Sequence, residues 1–147
     1  MPTNVVSTYM TSKKVIIKLI RMYSAINEQL ILALKPFGIS IQQFNVLRIL
    51  RGQKGVAANL FTVQEKMVNK MSNTTRIIDK LIEKSFVERN ICKENRRKIE
   101  LFITEEGLNF LKQVDPVIDQ TEEKMTNHLS EKEKQEMLIL LNKLNLN

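Results

Sequence analysis

A chain of 147 residues is long enough to bury one hydrophobic core and too short for two independent ones. Four Gly, three Pro and 27% charged residues describe an ordered, helix-rich globule, which excludes a linker or a disordered tail. The net charge of +7 is unevenly spread: residues 1–53 hold seven Lys or Arg against Glu28 alone, residues 54–100 eleven against six acids, and residues 101–147 five against nine. A basic first two-thirds followed by an acidic last third argues for a one-sided polyanion-binding face, although from charge alone a solubilising surface explains it equally well.

In residues 12–35 the apolar positions Ile16, Leu19, Tyr23, Ile26, Leu30 and Ala33 recur at three and four, which predicts a helix about 36 Å long. Lys35-Pro36-Phe37-Gly38 ends it. Further apolar residues at Val15, Ile17, Ile20, Met22, Ile31, Leu32 and Leu34 make this helix greasy on more than one face. It is therefore expected to pack on both its own domain and a partner chain. Lys18 interrupts the run VIIKLI, so neither a secretory signal nor a membrane span is expected, and the expected location is cytoplasmic. The single cysteine, Cys92, cannot form an internal disulfide, in keeping with a reducing compartment.

Ser40 is placed to cap a second helix carrying Phe44, Leu47, Ile49 and Leu50. Thr62 and Glu65 are spaced as a capping box, predicting a short helix over residues 63–69 with Met67 inward. Ser72 is expected to cap a helix over residues 73–84 whose inner face is Thr74, Ile77, Ile78, Leu81 and Ile82, leaving Asn73, Thr75, Arg76 and Lys80 outward. Residues 86–91 and 98–103 predict two strands joined by the polar turn 92–97. Thr104 should cap a long helix bearing Leu108, Leu111, Ile118, Met125 and Leu129, with Pro116 kinking or breaking it. Ser130 and Glu133 form another capping box, opening a last helix with Met137, Leu140, Leu141 and Leu144. The terminal helices would leave an exposed apolar patch unless they dimerise.

The most informative stretch is residues 67–107, a short polar-headed helix set directly before a hairpin with a basic tip. That layout predicts a mainly α chain with a small β-hairpin wing, a winged helix-turn-helix flanked by N- and C-terminal dimerisation helices. Arg96 and Arg97 at the tip suit the narrow, electronegative minor groove, where a guanidinium is attracted by shape and potential. Lys93 extends the same cationic cluster. Ser72, Asn73, Thr75 and Arg76 are candidates for base edges and phosphates, with two or three expected to read bases while others cap the helix. Lys80 and Lys70 suit phosphate, which positions without specifying. Arg76 has a competing use in a pair with Asp79.

In order and spacing, FGISIQQFNVLRIL, SNTTRIIDKLIEKSFVER and ICKENRRKIELFITEEG resemble the MarR family of bacterial transcription regulators, and the likeness covers nearly the whole chain. The resemblance implies a single MarR-like domain over residues 1–147, with a winged-helix lobe at about 37–104 and dimerisation helices at about 1–36 and 105–147. It also implies a homodimer that binds double-stranded DNA at a pseudo-palindromic operator, one recognition helix per major groove, on half-sites about 34 Å apart. A repressor whose affinity changes when a small-molecule effector binds between the dimerisation helices and the DNA-binding lobe is implied by the same likeness.

Two positions depart from the family pattern. Ser85 stands where the family has glycine, at a turn that favours positive φ. Asn95 stands where the family has an aspartate two residues before the wing arginine; it joins the candidate wing contacts but lacks the charge to hold Arg97 bidentately.

Cys92 precedes a cationic cluster that could activate a thiol, yet with no second cysteine an inert strand-end side chain is the favoured reading. His128, the single histidine, lacks spaced partners and makes a poor metal site, so no metal and no cofactor are expected. An enzyme is not expected either, because nothing nominates a nucleophile and a base as a pair. The stronger rival is a winged-helix protein-interaction module without DNA binding, which should present apolar anchors where this chain has Asn, Thr, Arg and Lys.

Overall fold

The structure, a computed structural model, describes residues 2–70, 73–95 and 98–146. Among these residues the elements come in the order α1 (Pro2–Leu34), α2 (Ile41–Gly52), α3 (Leu60–Lys66), α4 (Thr74–Glu83), β1 (Val87–Ile91), β2 (Ile99–Ile103), α5 (Glu105–Thr126) and α6 (Glu131–Asn142). A mainly helical chain with one antiparallel hairpin is the fold class that the periodicity predicts. The chain divides into two compact units, Ile31–Ile118 on one side and Met1–Leu30 with Asp119–Asn147 on the other.

Local chemistry sets most boundaries. The first helix begins at Pro2, ten residues before the expected start, because proline is tolerated in a first turn and no glycine or second proline interrupts the chain before Leu34. It ends where Lys35–Phe37 tightens into a 3-10 turn and Gly38, at φ 67°, returns its N–H to the Lys35 carbonyl. Ser40 opens α2: its hydroxyl accepts from the Gln43 N–H at 3.1 Å while its own N–H donates to the Gln43 side chain at 3.1 Å.

Two expected caps are corrected. The third helix is capped by Asn59 and not by Thr62, and so runs over Leu60–Lys66 rather than 63–69. Ala58 exchanges backbone hydrogen bonds with Leu101 at 2.7 and 3.1 Å, which holds the chain extended up to Asn59 and makes that residue the turning point. Thr62 is then a donor, giving its N–H and hydroxyl to the Asn59 carboxamide oxygen at 2.7 and 2.9 Å. At α4 the cap is Asn73, whose side-chain oxygen accepts from the Arg76 N–H at 3.2 Å. Ser72 lies outside the described residues. Asparagine is as good a cap as serine, and the register is set one residue later because Thr74 is 4% exposed and must point inward.

The Ile31–Ile118 unit holds the core. Phe44, Val46, Leu47 and Leu50 of α2, Val63 of α3, Ile78 and Leu81 of α4, Val87 and Leu101 of the hairpin, and Leu111, Val114 and Ile118 of α5 are all buried. Met67 is buried as expected. Phe86 stacks on Phe110 at 4.5 Å between centroids, and Phe37 meets Phe110 edge-on at 6.3 Å. Thr104 caps α5, its hydroxyl accepting from the Gly107 N–H at 3.0 Å and donating to the Ser85 carbonyl at 2.7 Å. Of the two outcomes expected at Pro116, a kink or a break, the break does not occur; α5 runs through it from Glu105 to Thr126. Proline removes one ladder hydrogen bond, and burial of Leu111, Val114 and Ile118 on either side holds the helix together despite that loss.

The other unit is the opposite in character: no buried hydrophobic residue among those described falls within it. Tyr9, Met10, Ile16, Ile20 and Tyr23 of α1 are exposed, as are Leu138, Ile139 and Leu140 of α6. Ser130 and Glu133 form the expected capping box. The Ser130 backbone N–H and then its hydroxyl hold the Glu133 carboxyl below the ordinary glutamate range. A depressed carboxylate supports the cap above that range, and the support fades as pH falls through the lowered value.

Ser85 adopts φ 63°, the left-handed conformation that favours glycine. Its Cβ carries strain of about 1 to 2 kcal/mol, partly offset by the extra entropy a glycine would lose on folding. Ser85→Gly is therefore expected to raise stability by about 0.5 to 1 kcal/mol, read as an increased denaturation midpoint at unchanged m-value.

Candidate nucleic-acid interface

Helices α2, α3 and α4 and then the β1–β2 hairpin lie in the Ile31–Ile118 unit. On α4, Thr74, Ile78 and Leu81 face the core, while Thr75, Arg76, Asp79 and Lys80 are exposed, as is the cap Asn73. The expected outward set is thus outward. Asn73 spends its side-chain oxygen on the cap, which leaves its amide N–H groups to donate outward.

Ion pairs divide the cations of this face. The anticipated pairing of Arg76 with Asp79 is corrected: Asp79 takes Arg89 of β1 at 3.5 Å. The strand presents that guanidinium across the packed α4–β1 boundary, so the contact ties the wing to α4 and leaves Arg76 exposed. Lys80 sits 3.6 Å from Glu83, with half or more of each side chain exposed, a weak pair that a phosphate can displace. Lys84 donates to the Gly38 carbonyl, anchoring the end of α4.

The hairpin pairs Val87 with Ile103, Arg89 with Leu101 and Ile91 with Ile99. Its turn is closed by the Cys92 N–H on the Lys98 carbonyl at 3.0 Å and the Lys98 N–H on the Asn95 carbonyl at 2.9 Å. Lys93, Asn95 and Lys98 are exposed at this tip, and Cys92 is half-buried. Arg96 and Arg97 lie outside the described residues. Two features escape a reading of the sequence: the Asp79–Arg89 pair, which no local spacing announces, and the exposure of Ile91 and Ile99, which hydrophobicity alone assigns to a core.

Among the described residues no three His, Cys, Asp or Glu gather as a metal would need, and His128 is exposed. No single helix among the described residues is long and apolar enough to cross a membrane. A polar helical face beside a two-stranded wing with exposed Lys93 and Lys98, both carried on one compact unit, is the layout of a winged helix-turn-helix.

Residues 39–99 match the model of the MarR family. The chain is 29% identical over 136 residues to the HTH-type transcriptional regulator MhqR of Bacillus subtilis strain 168, covering 92% of each chain. It superposes on the crystal structure of a MarR-like transcription regulator from Bacillus cereus ATCC 10987 with a TM-score of 0.82 at 22% identity, covering 91% of this chain and 95% of that one. The crystal structure of the S. aureus MepR-DNA complex matches at a TM-score of 0.74 and 21% identity, covering 86% and 93%. At such identities these two structures establish a common fold. Residues 39–99 thus carry the likeness to the MarR family, and the similarity to the regulator MhqR extends over 92% of both chains.

Proposed function

We propose that this protein is a cytoplasmic, homodimeric repressor that binds double-stranded DNA at a pseudo-palindromic operator, and that a small molecule tunes its affinity. The observation that carries the DNA reading is the exposed face of α4, Thr75, Arg76, Asp79 and Lys80, which holds no apolar side chain. A protein-interaction module would need apolar anchors there. Thr75, Arg76 and the amide of Asn73 suit base edges and phosphate, with Arg76 bidentate to guanine; Lys80 and Lys70 suit phosphate. Lys93, Asn95, Arg96 and Arg97 are assigned to the wing contact, and Ser72 to the entrance of the recognition helix. MepR, of like fold, has been solved with DNA.

The dimer reading rests on the exposed apolar residues of α1 and α6, which a monomer would leave in water. Light scattering is expected to give twice the chain mass at micromolar concentration, and removal of residues 130–147 to give monomer or aggregate. A soluble full-length monomer would rule the dimer out. The likeness to the MarR family supports a ligand response; it operates only if the effector binds two placements of the recognition helices with different affinity, since equal affinity shifts nothing.

Sequencing the genomic DNA that the purified protein retains tests the reading as a whole. A few fragments sharing an inverted repeat are expected, and an unenriched sample of the genome would contradict a sequence-specific regulator.

A further inference from the structure

We propose that Ile91 and Ile99 are DNA-contact residues that seat the wing against the deoxyribose walls of the minor groove. The proposal rests on the DNA-binding reading above and adds a contact to it. The two residues face each other as the last pair of the ladder before the tip. Directly opposed residues share one face of a hairpin, so the pair continues the face on which Val87 and Leu101 are each 2% exposed. There the burial stops: Ile91 is 66% and Ile99 41% exposed. Arg89, on the same face between the core and this pair, is held to Asp79 on α4 and fixes the hairpin from which the isoleucines project.

A cross-strand pair needs no such exposure merely to stabilise a hairpin, since threonines would pair there without leaving apolar surface in water. The surroundings choose the partner. The turn 92–98 carries Lys93, Arg96, Arg97 and Lys98 against Glu94 alone, and Lys93 and Lys98 are exposed beside the isoleucines. An apolar protein surface closing over this tip would strand those cations without counter-charges. A minor groove supplies what the tip requires: sugar C–H groups form its walls, and phosphates run along both rims. Apolar pair flanked by cations meets apolar wall flanked by anions.

The test uses the full-length protein and a genomic duplex recovered with it. Ile91→Thr, Ile99→Thr and the double variant keep β-branching, so the strands retain their formers. The double variant is expected to bind about tenfold more weakly through lost apolar burial, with an unchanged salt slope because no phosphate contact is removed. Hydroxyl-radical protection of minor-groove sugars beside each half-site should be lost, while protection of guanine N7 from methylation in the major groove persists. Unchanged affinity and footprint in the double variant would overturn the proposal and leave the DNA reading standing. A salt slope that falls together with affinity would overturn it too, because the pair would then act only by ordering the wing cations. If wild type protects no duplex at all, the DNA reading fails and this contact with it.

Discussion

Binding to the proposed operator is expected to weaken by on the order of a thousandfold or more when salt rises from about 50 to about 200 mM, provided ~6 or more phosphates are engaged. Each cation that meets a phosphate releases a condensed counterion, and the entropy of that release shrinks as bulk salt rises. Lys70, Arg76, Lys80, Lys93 and Lys98 are exposed on the candidate face, and the proposed two-fold dimer would present the set twice. The Lys80–Glu83 pair at 3.6 Å does not prevent this, because an exposed pair of that kind is worth only about 0 to 1 kcal/mol. Titration of one labelled duplex across the salt series gives the slope directly. A flat dependence would mean that few phosphates are touched, and would favour the protein-interaction alternative.

Gly107→Ala is expected to destabilise the lobe by about 1 to 3 kcal/mol, lowering Tm by several degrees. Gly107 is buried in the first turn of α5, and a Cβ there would stand 2.4 Å from the Phe86 carbonyl oxygen and 2.8 Å from Cγ1 of Ile103. The carbonyl cannot simply yield, because it also accepts the Thr104 N–H at 3.0 Å. Moving α5 instead loosens the root of the wing, where the Gly107 N–H reaches the Thr104 hydroxyl. Helix propensity works the other way, favouring alanine by about 1 kcal/mol, so any net loss measures the close approach. Thermal or urea unfolding checks it, and an unchanged or raised midpoint would show that strand and helix are not so near.

How much of the fold and site is legible in the sequence depends on the range of the interactions involved. Ser40 and Ser130 are legible as caps because each closes a box with a residue three positions on. Thr62 offers the same pattern and misleads, since the bridge between Ala58 and Leu101 decides where the chain may turn, and that partner lies far along the sequence. Ser72 and Asn73 are neighbours of equal merit, and only the burial of Thr74 separates them. The outward face of α4 is readable from its period, but Asp79 pairs across the fold with Arg89 rather than along the helix. Periodicity also marks Ile91 and Ile99 as strand residues without saying that the core ends before them.

The central claim is that α4 reads sequence while the wing reads groove shape. Titration of the operator and its single-base variants with wild type, Arg76→Ala and Arg97→Ala tests this most directly. Arg76→Ala is expected to cost about 1 to 3 kcal/mol and to relax discrimination at one position in each half-site. Arg97→Ala should weaken every variant by a similar factor. Binding by Arg97→Ala as tight as wild type, or by Arg76→Ala with discrimination intact at every position, would contradict the account.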